Sequence, residues 1–197
     1  HVLNPQADGS LHVGQSTYGD LPLHLAIAAG MRDGAFPAEY TILPGALLTY
    51  PFLADSYAAG FLLMGWSLRG AVVFTGCLMM ALTFSGYLIL AERIARRRSV
   101  AALAALFFFI NGGLGFLYSL DTLGVSNGGT VNSLQSGTWL DRLDTILYGW
   151  YQTPANHAEQ SYYNLRWSNI IADMLVPQRT FLGGWCMLLP CIYLLYD

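Results

Sequence analysis

Two uncharged apolar runs, residues 70–91 and 99–120, flank a short arginine-rich turn and constrain this chain more than any other feature. Each run has about the length that crosses a hydrocarbon core of roughly 30 Å. The turn between them, Glu92-Arg93-Ile94-Ala95-Arg96-Arg97-Arg98, is the densest basic cluster in the sequence. By the positive-inside rule it faces the cytoplasm, which places residues 1–69 and 121–180 outside it. Composition agrees with a membrane chain: 54% of the residues are hydrophobic and 11% charged, against about a quarter charged in a typical soluble domain. The expected fold class is therefore all-α, a polytopic transmembrane helical protein forming one domain. A net charge of −3 gives no support to nucleic-acid binding.

Taken in order, residues 1–20 are polar and rich in turn formers, and residues 21–31 read as a short helix with Leu21, Leu25 and Ala28 on one side. That helix is too short to span a bilayer and is expected to lie along the interface. Asp33-Gly34, Phe36-Pro37 and Leu43-Pro44-Gly45 punctuate an ordered loop over 32–51. Residues 56–68 form a second interfacial candidate. After the span at 70–91, the cytoplasmic turn at 92–98 and the span at 99–120, the second outer loop runs over 121–180. It contains an amphipathic helix at 139–151, with Trp139, Leu143, Ile146 and Trp150 opposite Asp141 and Asp144, and a further helix at 162–176 that ends at Pro177. Residues 181–197 begin another span, so the chain reads as a fragment of a longer polytopic protein, without an N-terminal leader. Cys77, Cys186 and Cys191 all fall in apolar runs and are expected to be buried thiols, not a disulfide or metal framework.

The two outer segments hold ten of the twelve acidic residues and all four histidines, so any chemistry is extracytoplasmic. Asp20 stands at a helix start, where the N-terminal dipole favours a carboxylate, and His24 follows four residues later on the same face. Such a pair serves as acid and base, as half of a metal site, or simply as a helix-terminal carboxylate beside an interfacial histidine. Tyr50 belongs to the same segment, whereas Glu39 and Asp55 read as solvated loop charges. The second segment offers Arg166, Asn169, Gln178 and Arg179. A guanidinium there holds a departing phosphate bidentately, caps a helix, or snorkels to headgroups. Asn111-Gly112-Gly113 interrupts the second run and reads as a point of close helix packing.

Gly19-Asp20 with His24, Leu43-Pro44-Gly45 leading to Leu48-Thr49-Tyr50, Asn111-Gly112-Gly113, Trp167-Ser168-Asn169 and Pro177-Gln178-Arg179-Thr180-Phe181 occur in the order found in bacterial polytopic membrane proteins. The chain resembles a largely uncharacterised branch of the GT-C glycosyltransferase fold. The resemblance implies a plasma-membrane enzyme that transfers a sugar from a polyprenyl-phosphate donor, within membrane lipid, to an extracytoplasmic acceptor. It implies Asp20 as catalytic carboxylate with His24 as a second catalytic residue, Arg166, Asn169, Gln178, Arg179 and Tyr50 as substrate-binding residues, and a fragment that is inactive alone. Asp20 has no acidic neighbour, unlike the paired-acid version of the motif, so no metal or other cofactor is assigned. The competing reading is a non-enzymatic assembly factor or transporter whose outer loops bind a partner. The lack of charged groups in both apolar runs counts against transport.

Overall fold

The computed structural model describes residues 3–13, 17, 19–34, 38–112, 138–141 and 169–196. The described chain is mainly helical. A small antiparallel hairpin, β1 (Leu3–Pro5) and β2 (Leu11–Val13), precedes α1 (Asp20–Asp33), α2 (Leu53–Leu63), α3 (Leu68–Ala95) and α4 (Arg98–Phe109). A short π-helical segment, α5 (Ile171–Leu175), then leads into α6 (Arg179–Leu195). The hairpin lies in the stretch expected only to be polar turns. Asp8 closes its loop by accepting from the Ser10 N–H and hydroxyl at 2.9 and 2.7 Å, and Gly9 takes the positive φ of 84° that a side chain resists.

Helix α3 is longer than the uncharged run that announces it. Ser67 caps its start by accepting from the Gly70 N–H, and Arg96 closes it in a left-handed conformation. At 28 residues it is about 42 Å long. Among the described residues it is the one helix long and apolar enough to cross a membrane. The span expected over 99–120 is not a single helix as far as the structure describes it: α4 stops at Phe109, and residues 110–112 are irregular. Carbonyls at and just beyond its end turn instead to the Asn169 side chain, whose amide donates to Phe109 O and Asn111 O at 2.8 and 2.6 Å. Residues 113–120, most of the amphipathic helix at 139–151 and the first part of the one at 162–176 lie outside the described residues. At the described start of the former, Thr138 Oγ1 accepts from the Asp141 N–H at 3.4 Å and Asp141 Oδ2 accepts from the Thr138 N–H at 2.7 Å, as in a capping box.

Two apolar clusters hold the helices together. One joins Leu3, Leu21, Leu25, Ala28, Ala58, Leu62, Ala71 and Val72, from the hairpin, α1, α2 and the start of α3. The other joins Ala54, Met79, Ala105, Phe109, Leu175 and Leu182, from α2 to α6. Small residues permit the closest crossings. A Cβ on Gly183 of α6 would stand 3.2 Å from Ala54 Cβ, and one on Gly86 of α3 would stand 3.3 Å from Leu189 Cβ. On α2 the residue between Ala54 and Ala58 that turns inward is Asp55; on α3 the one between Val72 and Met79 is Thr75. The polar site therefore sits where the two clusters meet.

The three cysteines are free. Their expected burial does not hold: Cys77 and Cys191 are exposed on outward faces of α3 and α6, and only Cys186 is partly buried, near Thr83 Oγ1 at 3.2 Å. An apolar run predicts burial only where another helix covers it, and Cys77 opens instead onto a cavity shared with Leu3, Arg69 and Leu175.

Candidate functional site

Asp55 is the centre of the site. It was expected to be a solvated loop charge, yet it lies in the first turn of α2 and is fully buried. Its Oδ2 accepts from His24 Nδ1 at 2.7 Å and its Oδ1 from Arg179 Nε at 3.2 Å. One carboxylate thus links α1, α2 and α6. Burial is tolerable because both oxygens have charged or polar partners, which an isolated buried carboxylate lacks. The short contact requires a proton on His24 Nδ1, so in the neutral ring Nε2 is an acceptor. Nε2 is itself buried without a hydrogen-bond partner among the described residues. The Tyr50 ring meets the imidazole edge-on, with centroids 5.6 Å apart.

Arg179 opens α6 and is almost as deeply enclosed, with a side chain 5% exposed. Nη1 donates to Val72 O at 2.9 Å and Nη2 to Thr75 Oγ1 at 2.5 Å. Thr75 is able to accept because its own proton goes back to Ala71 O at 2.9 Å. Gly76, one residue on, leaves the space: a Cβ there would stand 3.4 Å from Nη1. Burial lowers the Arg179 guanidinium from its ordinary value, and the adjacent Asp55 charge opposes that shift. Three of the five guanidinium N–H groups are engaged, which leaves one on each terminal nitrogen.

Asp20 and His24 do not form the pair that their spacing predicts. His24 turns inward with Leu21, Leu25 and Ala28, whereas Asp20 stays half-exposed and accepts from Gln178 Nε2 at 3.3 Å. Asp20 does stand at the helix start: Gly19 is the N-cap of α1 and Asp20 its first residue, in the turn where the helix dipole favours a carboxylate. Because Gln178 precedes Arg179, the same turn of chain holds both halves of the site. Asp20, His24, Tyr50, Gln178 and Arg179 are brought together, with Asp55 and Thr75 as members that sequence reasoning missed. Asn169 stands apart: its amide is used on α4 carbonyls, and its Oδ1 accepts from the Ile171 and Ala172 N–H groups. Arg166 lies outside the described residues. Glu39 is solvated as expected, accepting from the Gly45 N–H at 3.2 Å.

Two cavities flank Arg179. One, of about 380 Å³, is walled by Leu3, Leu21, Val72, Met80 and Leu182, with the Arg69 and Arg179 guanidinium groups as its charged lining. Arg69 is exposed and donates from Nε to Leu3 O at 3.1 Å, which ties the hairpin to α3. The other, of about 400 Å³, is an apolar groove between α2, α3 and α6 that includes Tyr57, Thr75 and Thr180. Among the described residues no three metal-ligating side chains converge. Comparison with protein-family models, with curated proteins and with solved structures gave no match.

Proposed function

We propose that the chain belongs to a polytopic membrane glycosyltransferase of the GT-C type, which transfers a sugar from a polyprenyl-phosphate donor with Asp20 as catalytic carboxylate. The observation that carries this reading is that a half-exposed carboxylate, Asp20, is held by Gln178 next to Arg179, which ends the His24–Asp55–Arg179 chain and, with Arg69, lines an apolar cavity. An apolar pocket of a few hundred Å³ with a few directed polar groups is the usual form of a small-ligand site. A lipid-linked phosphate matches both parts, with its first isoprene units against Leu21, Val72 and Met80 and its phosphate against Arg69 and the remaining N–H groups of Arg179.

In this proposal Asp20 takes the proton of the acceptor hydroxyl as its oxygen attacks the anomeric carbon, and the bond to the lipid phosphate breaks. Gln178 orients the carboxylate through its hydrogen bond. Arg69 and Arg179 stabilise the charge that grows on the leaving phosphate. His24, fully buried, reaches no acceptor in this arrangement and positions Asp55, which positions Arg179. The long apolar helix α3 supports a membrane location. The internal neutralisation of Arg179 by Asp55 favours a second reading, in which the cluster is a structural latch of a non-enzymatic assembly protein. Transfer of labelled sugar from a polyprenyl-phosphate hexose by membranes carrying the full-length protein separates the two. Asp20→Asn is expected to lower transfer by about 100-fold or more; wild-type membranes that bind the donor without any transfer support the latch instead.

A further inference from the structure

We infer that the tip between α3 and α4 binds the phosphodiester headgroup of an anionic membrane lipid; this rests on the membrane location proposed above. The chain reverses there in two residues. Arg96 is left-handed (φ 55°, ψ 20°), Arg97 is extended (φ −147°, ψ 122°), and α4 starts at Arg98. Three consecutive arginines, Arg96, Arg97 and Arg98, therefore make up this reversal, with Arg93 a turn earlier on α3. All four are exposed.

Four arginines fall within residues 93–98 with no carboxylate among them. Glu92 is the only carboxylate between residues 56 and 112, and Arg98 Nε already holds its Oε1 at 3.0 Å. Arg96 and Arg97 have no carboxylate partner among the described residues. Beside them lies a polar depression of about 510 Å³ lined by Glu92, Arg93, Arg96 and Tyr196, the last brought from the end of α6. A guanidinium fork fits phosphate oxygens, and a tyrosine beside it suits headgroup depth.

The surroundings select a lipid over a free anion. Leu78, Leu82 and Ile89 are 50%, 54% and 55% exposed along one side of α3, so the cationic tip borders an apolar helix face. A soluble phosphate uses only the cationic part of this surface. A diacyl phosphodiester with a net negative charge, such as phosphatidylglycerol, uses both. A zwitterionic lipid offers the phosphate but cancels its charge, and is expected to bind less well.

The test is incorporation of the purified full-length protein into phosphatidylcholine nanodiscs, followed by titration with fluorescent phosphatidylglycerol or fluorescent phosphatidylcholine. Phosphatidylglycerol is expected to bind more tightly. The Arg96→Gln/Arg97→Gln double variant is expected to weaken it by about 30-fold, from about 5-fold per basic residue near an anionic surface. Arg96→Lys/Arg97→Lys is expected to retain most of the affinity, and both variants should unfold at the wild-type temperature because these side chains are exposed. Equal binding of the two lipids, or an unchanged double-Gln variant, overturns the proposal. Full displacement of phosphatidylglycerol by millimolar inorganic phosphate overturns it in favour of a free-anion site. A protein that does not enter nanodiscs at all overturns the membrane location, which is a different result from incorporation without lipid preference.

Discussion

Removing Asp55 should destabilise the protein far more than removing an ordinary surface carboxylate. Its side chain is fully buried, and the guanidinium it neutralises is 5% exposed. Asp55→Leu leaves Arg179 inside the helix assembly with hydrogen bonds to Val72 O and Thr75 but no counter-charge. Breaking a buried ion pair from one side costs about 3–5 kcal/mol. That is a large share of a typical folding free energy of about 5–15 kcal/mol. Arg179→Met strands the carboxylate in the same way, so simple addition for the double variant would give a loss of about 6–10 kcal/mol. The structure predicts much less, because the double variant holds no unpaired buried charge. It should lie about 1–3 kcal/mol below wild type, the cost of leaving the His24 Nδ1–H without its acceptor. Unfolding of the four proteins in detergent micelles, followed by helical circular dichroism, measures this cycle. Additive losses, or single losses below about 1 kcal/mol, would refute the view that Asp55 and Arg179 compensate each other in a buried site.

Two other predictions concern packing and caps. Asn169→Ala should destabilise by about 1–2 kcal/mol, because it removes the bonds to Phe109 O, Asn111 O and the start of α5, and should leave donor affinity unchanged; thermal unfolding and donor titration check both parts. Gly183→Val should cost about 1–3 kcal/mol by forcing α6 away from Ala54, whereas Gly60→Ala, where a Cβ meets nothing within 4 Å, should stabilise α2 by about 0.5–1 kcal/mol. A denaturation midpoint that moves the same way for both glycines would contradict these crossings.

What was legible in the sequence was whatever local composition controls. Helix α3 follows from an uncharged run bounded by Ser67 and the arginines, and the inward face of α1 follows from Leu21, Leu25 and Ala28 at helical spacing. The ordered loop after α1 is likewise present, with Tyr40 N–H donating to Ala46 O and Leu48 N–H to Ala38 O. The hairpin was missed although Asp8-Gly9 is a strong turn signal, because three-residue strands carry almost no alternation. Asp55 was missed because a carboxylate reads as solvated unless its partners are known, and these stand 31 and 124 residues away. One local sign existed: Asp55 shares its helical face with Ala58, Ala59 and Leu62, all buried. The Asp20 and His24 pairing failed for a related reason. Spacing places two residues near one face, but their partners on other helices decide where each side chain goes.

In the proposed enzyme Asp20 performs the chemistry and Arg179 meets the leaving phosphate, while His24 and Asp55 behind them only hold the site in place. The rate of sugar transfer at saturating polyprenyl-phosphate hexose, measured for Asp20→Asn against wild type in the full-length protein alongside donor affinity, tests it directly. A rate lowered by about 100-fold or more, with donor affinity nearly unchanged, is the expected result. A wild-type rate in the Asp20→Asn protein would contradict it.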